Sequence, residues 1–393
     1  MRRFIWIAAA ALTASCRSAA PEAPAPGRLD PERLTRAAEA AGFTVRQIDA
    51  RLPAAAPSRL SLVGMAWDDP RLVALRKKYP VEQIVAGAGD SWTAQLRLKE
   101  WVHRAIPDGT PKTSPHHAVE ILDAAARGET FWCTFYSITY LECALALGWP
   151  CRKVAIDRRH GPEGLGSVHH GIVEVWSDRF SKWAAIDAQS NLHFEKRGTP
   201  LSAWEIRAEW LRNQGADVER VVGAPSAPER RKTGIKWWTN PDEDETAAFF
   251  WIYVIDHADI SSSEARYFLP QDGAHAGQTW YQNHHASGTG RPHIGYDRKL
   301  FRPTTPDDLY WTEGVVEAAL SGVEAGRIHL ALDSSGVGLD GFQVSVDGRE
   351  WTRTPSMLTW PLHEGRNELR LRSVRRGGTF GPESSVALSL DRR

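Results

Sequence analysis

The stretch "CTFYSITYLECALAL", from Cys133 to Leu147, constrains the fold most. It is apolar on nearly every side, as a helix buried all round must be. Gly148 and Pro150 stop it. Two helices of ordinary amphipathic design precede it. "DSWTAQLRLKEWVHRAI" places Ala94, Leu98, Trp101, Val102 and Ala105 at helical spacing behind an Asp90 or Ser91 N-cap. "SPHHAVEILDAAARG" predicts Ser114 as cap, Pro115 as first helical residue, a core face of Ala118, Ile121, Leu122 and Ala125, and Gly128 as terminator.

The pattern then switches. "VHHGIVEVW" and "KWAAIDA" read as short strands separated by a polar turn, and "TPLSAWEIRAEWLRNQG" returns to helix. "GAPSAPERRKTG" suggests a boundary near 223–234, before the apolar strand "AAFFWIYVID". From about Tyr310 the chain reads as all-β. Ile328, Leu330 and Leu332 alternate, as do Phe342, Val344 and Val346 before an Asp347-Gly348 turn. Leu369 and Leu371, then Val386, Leu388 and Leu390, complete a β-sandwich pattern. The fold class expected is therefore α+β.

At 393 residues the chain is long enough for two or three domains. Lys plus Arg equals Asp plus Glu at 48 each, which argues against nucleic acid or an anionic membrane surface as partner. The 17 Trp are read chiefly as core residues. Arg2 and Arg3, the apolar run Phe4 to Leu12 and the small residues before Cys16 read as an export signal, too short to span a bilayer. "LTASC" resembles a bacterial lipobox, which implies lipidation of Cys16 and a cell-envelope location, with that lipid as the only membrane contact. "RSAAPEAPAPGR" is a tether, and Leu34 to Ala41 a short surface helix beyond it.

Three of the four cysteines, Cys133, Cys143 and Cys151, fall close together. They contain no C-x-x-C pair, and two of them sit nearly three helical turns apart, so no metal site is expected there. His275, His284, His285 and His293 are read as solvated loop residues. Cys133 differs from its neighbours because it opens a helix, where unpaired N–H groups and the dipole stabilise a thiolate. Cys143 and Cys151 are either bonded to each other or two buried thiols; the thiols are favoured.

A cysteine nucleophile needs a base, and the base an orienting acceptor. On one face of "VHHGIVEVW" lie His170, Ile172, Glu174 and Trp176; on one face of "KWAAIDA" lie Trp183, Ala185 and Asp187. If Trp176 faces Ser181 across a loop of Ser177 to Phe180, His170 stands opposite Asp187, with Cβ atoms about 4.5–5.5 Å apart. His169 points to the other face.

The order of Cys, His on a strand and Asp on the next resembles the transglutaminase-like superfamily of papain-type cysteine enzymes. "FWCTFYSITYLECALALGWPCRKV", "HHGIVEVW", "WAAIDAQSN" and "LKEWVH" carry the resemblance over about Ser61 to Asn191. It implies Cys133 as nucleophile, His170 as base and Asp187 as orienting carboxylate, with Arg152 and Asn191 as supporting positions and no cofactor. Phe131 and Trp132 stand where the family has a small residue and Gly, Gly171-Ile172 where it has Ala-Trp, and Ala188 where Pro is common.

The implied organisation is a signal and lipobox at 1–16, a tether and short helix at 17–57, and a transglutaminase-like catalytic domain at 58–225. A loop-rich β-containing region at 226–309 and an immunoglobulin-like sandwich at 310–393 follow. The implied chemistry is acyl transfer at a peptide-like or glycopeptide-like amide, with hydrolysis favoured over cross-linking. The Cys133 N–H is an oxyanion donor, and Trp132 and Trp101 are candidates for a second. A catalytically silent module binding peptide or glycan is the alternative.

Overall fold

A computed structural model of the protein describes residues 27–52, 64–157, 169–232, 236–237, 240–260, 262, 264–275, 301–334, 336 and 338–393. The export signal, Cys16, His284, His285 and His293 lie outside the described residues.

The described chain opens with β1 (Gly27–Arg28), α1 (Pro31–Ala40) and β2 (Phe43–Arg51). Helices follow: α2 (Pro70–Lys78), α3 (Val81–Val85), α4 (Ser91–Ala105), α5 (Ala118–Ala126) and α6 (Cys133–Ala146). Then come β3 (Cys151–Asp157), β4 (His169–Ser177), β5 (Lys182–Asp187), β6 (Leu192–Lys196), β7 (Thr199–Pro200) and α7 (Ala203–Asn213). Next are β8 (Glu219–Val222), β9 (Glu229–Lys232), β10 (Lys236–Trp237), β11 (Asn240–Asp244), β12 (Trp251–Ile255), β13 (Tyr267–Pro270), β14 (Phe301–Thr304) and α8 (Pro306–Leu309). The chain ends in β15 (Glu317–Glu324), β16 (Arg327–Asp333), β17 (Leu339–Val346), β18 (Thr352–Thr354), β19 (Met357–Pro361), β20 (Gly365–Arg375) and β21 (Ser384–Arg392). The class is α+β, with antiparallel pairing throughout the described sheets except between β13 and β14.

A central sheet runs β14-β13-β12-β3-β4-β5-β6-β8-β9, with β7 beside β6. One face is covered by α4, α5 and α6, whose apolar residues share a core with Val173, Val175, Ala184 and Ile186. The other face packs Ile172, Trp176, Trp183 and Ala185 against α7 and Trp311. This two-sided burial explains why all seven residues of β3 are buried. α6 is buried at every residue from Phe135 to Ala146. Asp90 caps α4 by accepting from the Trp92 and Thr93 N–H groups. Ser202 and Glu205 form a capping box on α7.

Several expectations change. α5 starts at Ala118, not Pro115, and Ser114 does not cap it. Its N-terminus is instead held by Glu142 of α6, which accepts from the Ala118 N–H and from His117 Nδ1, each at 2.9 Å. The expected boundary near 223–234 is crossed by the β8–β9 hairpin. The region 226–309 is not set apart, because β12 pairs along β3 and extends the central sheet. His275 is no loop residue in solvent: it is buried, 4.4 Å from the Trp251 ring, and bonded to the Phe250 carbonyl and Arg207.

The C-terminal β-sandwich has two sheets, β1-β15-β16-β19 and β18-β17-β20-β21-β2, around one core. Asp347 and Gly348 both adopt positive φ at the turn after β17, where a hairpin demands it. The helix expected on the surface after the tether belongs to this sandwich. Leu34, Ala37 and Ala38 of α1 are fully buried in its core, and β2 closes the second sheet against β21. Three apolar residues at helical spacing have nowhere else to be covered. No described helix is long and apolar enough to cross a membrane.

Candidate active site

Cys133 is the first residue of α6. Its placement begins two residues earlier, where Phe131 is fully buried against Phe135, with ring centroids 4.9 Å apart. The Phe131 N–H donates to the Pro107 carbonyl, and its own carbonyl accepts from Gly109. This strap fixes the approach to the helix and turns Trp132 outward, 38% exposed. Trp132 is the N-cap residue and makes no side-chain capping hydrogen bond, so its side chain does not take up the first N–H groups of α6. Ser137, one turn on, donates to the Cys133 carbonyl at 2.9 Å.

His170 lies near the start of β4 and Asp187 ends β5. His170 Nε2 is 2.8 Å from Asp187 Oδ2. Nδ1 is the ring nitrogen not engaged by Asp187, and the imidazole and the Cys133 thiol are close enough to act on each other's protonation. Asp187 Oδ1 accepts from the Ser190 N–H at 2.9 Å, so both carboxylate oxygens are engaged. Cys133, His170 and Asp187 thus form one connected line across three elements.

The expected register is displaced by two residues. Trp176 pairs with Trp183 and Ser177 with Lys182, so the loop is Asp178 to Ser181. Ser181 takes φ 51° there. Asp187 is therefore diagonal to His170, not opposite it. An imidazole and a carboxylate can span a diagonal, and a shift of two keeps both on one face. His169's side chain lies outside the described part of the molecule.

The electrostatics follow from this arrangement. Burial alone would push the Cys133 thiol up; the His170 hydrogen bond and charge, aided by Lys153 and the Gly171 N–H, outweigh it and bring the thiol down to about 6. Burial works against a charged His170, but the charge and hydrogen bond of Asp187 and the contact with Cys133 raise its pKa well above the ordinary value. Asp187 is pushed up by burial and held below the usual carboxylate range by His170 and the Ser190 N–H. Both shifts favour the thiolate and the imidazolium. Burial pushes Cys143 and Cys151 far upward, and both are free, buried thiols.

The supporting positions divide. Through its side chain Asn191 hydrogen-bonds Glu100 and not the imidazole. It takes φ 52° at the corner after Asp187, its carbonyl accepts from Lys99 Nζ at 2.9 Å and from the Gly223 N–H, and its amide reaches Glu100. It shapes the turn that presents Asp187. Arg152 is fully buried on the other face of β3, paired with Glu174 at 2.6 Å and stacked on Trp183, Tyr310 and Trp311. Its role is architectural. Trp101 packs edge-on against Tyr79. A cavity of about 80 Å³ adjoins His170, Asp187 and Ser190, walled by Ile172, His193 and Phe249. Cys133 does not line it.

Residues that the sequence reading missed are Lys153, Gly171, Ser137 and Ser190, all placed close to the three. A signal for Lys153 existed: a lysine inside a strand of otherwise core-like character, next to an arginine on the opposite face. Among the described residues no group of three or more His, Cys, Asp or Glu is placed to hold a metal ion. No protein-family model matches the chain, and no curated protein matches it.

Proposed function

We propose that this chain is a transglutaminase-like cysteine enzyme of papain type, exported and held at the cell envelope through Cys16. It catalyses acyl transfer at a peptide-like or glycopeptide-like amide, with water as the favoured acceptor. The observation that carries the reading is the unbroken line from the Cys133 thiol through the His170 imidazole to Asp187, at a helix start with no capping side chain.

In this mechanism the Cys133 thiolate attacks the amide carbonyl carbon. The Cys133 N–H, at the positive end of α6, stabilises the oxyanion that forms. His170, as imidazolium, gives its proton to the leaving amine while the C–N bond breaks. Asp187 holds the ring so that Nδ1 faces the sulfur and stabilises the imidazolium. Neutral His170 then takes a proton from water, whose oxygen attacks the thioester carbon. The C–S bond breaks, releasing a carboxylic acid and restoring the thiolate–imidazolium pair. An amine in place of water gives cross-linking by the same steps.

The test is the rate of iodoacetamide alkylation of each thiol against pH, in wild type and in His170→Ala. Cys133 is expected to react far ahead of Cys143 and Cys151, with a midpoint near 6 that moves toward the ordinary thiol value of about 8.5 in the variant. Slow alkylation of Cys133 with an ordinary midpoint would remove the enzyme reading and leave a binding module.

A further inference from the structure

The Cys133 sulfur has a second cationic neighbour that the three-residue mechanism does not use. Lys153 lies on β3 and is buried. β3 pairs with β4 so that Lys153 stands opposite Val173, and Ala155 opposite Gly171. Opposed residues share a face, and Val173 belongs to the core under α6. Lys153 is therefore on the nucleophile's side of the sheet, whereas its neighbour Arg152 pairs with Glu174 on the far side.

Gly171 makes the contact possible. A Cβ at that position would stand 2.9 Å from Lys153 Nζ, 3.5 Å from Ser137 Oγ and 3.6 Å from Cys133 Sγ. The φ of Gly171 is not in the left-handed region, so it is space and not backbone conformation that a side chain here would violate. Three polar atoms from β3 and α6 converge on one notch in β4, and the ammonium and the sulfur are both within 3.6 Å of a single point.

We infer that Lys153 is a positioning residue for the nucleophile: its ammonium, seated in the Gly171 notch, holds the Cys133 sulfur as thiolate independently of the His170 proton. This rests on the proposed enzyme reading only in taking Cys133 as the reactive thiol. An ammonium and a thiolate buried side by side each favour the charged form of the other. His170 supplies a positive charge only while protonated; an ammonium at Lys153 supplies one that does not depend on that proton. Among the described residues, the groups facing the sulfur include His170 from β4 with Asp187 of β5 behind it, Lys153 from β3, the Gly171 N–H and the Ser137 hydroxyl. Tyr136, on the same helix, turns its hydroxyl to the Ile106 carbonyl.

The experiment is the pH dependence of Cys133 alkylation by iodoacetamide, followed by peptide mass spectrometry, in Lys153→Met, Lys153→Arg, His170→Ala and the His170→Ala/Lys153→Met double variant. Lys153→Met is expected to raise the midpoint by about one pH unit, an opposite charge at this range being worth about 1–3 units. Lys153→Arg restores the wild-type midpoint, which a merely structural role would not require. The double variant titrates above His170→Ala alone. Should Lys153→Met fold poorly, Gly171→Ala displaces the ammonium without deleting it and is expected to raise the midpoint in the same direction. A Lys153→Met or Gly171→Ala protein that titrates like wild type overturns the inference, and so does a Lys153→Arg protein that behaves like Lys153→Met. If His170→Ala moves the midpoint and Lys153→Met does not, the enzyme reading stands and this inference fails. If the midpoint depends on Lys153 but the protein cleaves no amide, the reverse holds.

Discussion

At Asp187 a single carboxylate decides how long the imidazole stays charged. Its partner His170 has side-chain exposure of only 15%, so the proton on that ring depends on a nearby anion and not on water. Replacing Asp187 with Asn keeps an acceptor for Nε2 but removes the charge. The His170 pKa, now well above its ordinary value, is expected to fall by at least about one unit, read by NMR titration of the labelled ring. A raised folded-state pKa contributes stability that is fully present below the ordinary value of about 6.5 and is lost as pH rises through the folded value. The stability difference between wild type and Asp187→Asn should therefore be largest near pH 6 and shrink at alkaline pH. An unchanged His170 titration would mean that Asp187 does not act on the ring. This site was largely legible at the residue scale because its parts leave local marks: a Cys where a helix opens, and a His and an Asp of matching parity on strands adjacent in sequence. The exact register was not legible, since Ser181 adopts a positive φ without being a glycine or an asparagine. Lys153 was missed for a different reason. Its approach to Gly171 depends on pairing between β3 and β4, whose register no short turn fixes.

Among the elements, α5 shows how the buried helix α6 earns a polar residue. Glu142 is 1% exposed, yet it sits mid-helix in an apolar surround. Its two oxygens receive His117 Nδ1 and the Ala118 N–H, so α6 supplies the N-cap that α5 lacks in its own sequence. From sequence, Ser114 and Pro115 mimic a helix start three residues too early, because the true acceptor is remote in the chain. The Glu142 hydrogen bond raises the His117 pKa, so this contact contributes its full stability below about pH 6.5 and loses it as pH rises through the folded value. Glu142→Gln is expected to cost about 2 kcal/mol in urea unfolding at pH 5.5, the usual scale for a hydrogen bond to a charged group, and clearly less at pH 8.5. An equal loss at both pH values would show that the ion pair is not what the carboxylate contributes. The strands of the sandwich were the most legible elements, because alternation such as Ile328, Leu330 and Leu332 reports a one-sided core directly.

Across the whole molecule the two ends of the described chain meet, which no local pattern could announce. β2 pairs with β21 from Phe43 with Arg392 to Arg51 with Ser385, and β1 pairs with β15. The sandwich in turn is docked on the far end of α6. A Cβ at Gly148 would stand 1.8 Å from the Arg376 carbonyl oxygen, and one at Gly377 would stand 2.5 Å from that of Leu147. Both glycines also have positive φ, so close backbone approach and backbone conformation demand the same residue. Arg375, 1% exposed, pairs with Asp178 in the β4–β5 loop at 2.7 Å. The helix that starts with Cys133 is thus held at its other end by a domain completed by the N-terminal segment. A chain beginning at residue 53 loses Leu29, Leu34 and Phe43 from the sandwich core, at roughly 2 kcal/mol each for apolar burial alone. That sum rivals the net stability of a typical domain, about 5–15 kcal/mol, and the edges of β15 and β21 are left unpaired. Trypsin is therefore expected to cut first within 310–393 in the shortened chain, at conditions where the full chain resists. Cys133 lies about 20 Å along α6 from the docked end, at 1.5 Å per residue, so its alkylation midpoint should hold until the sandwich is lost entirely. Equal protease resistance with and without the N-terminal segment would mean that the sandwich is complete without β2, and that α1 is only a cover for it.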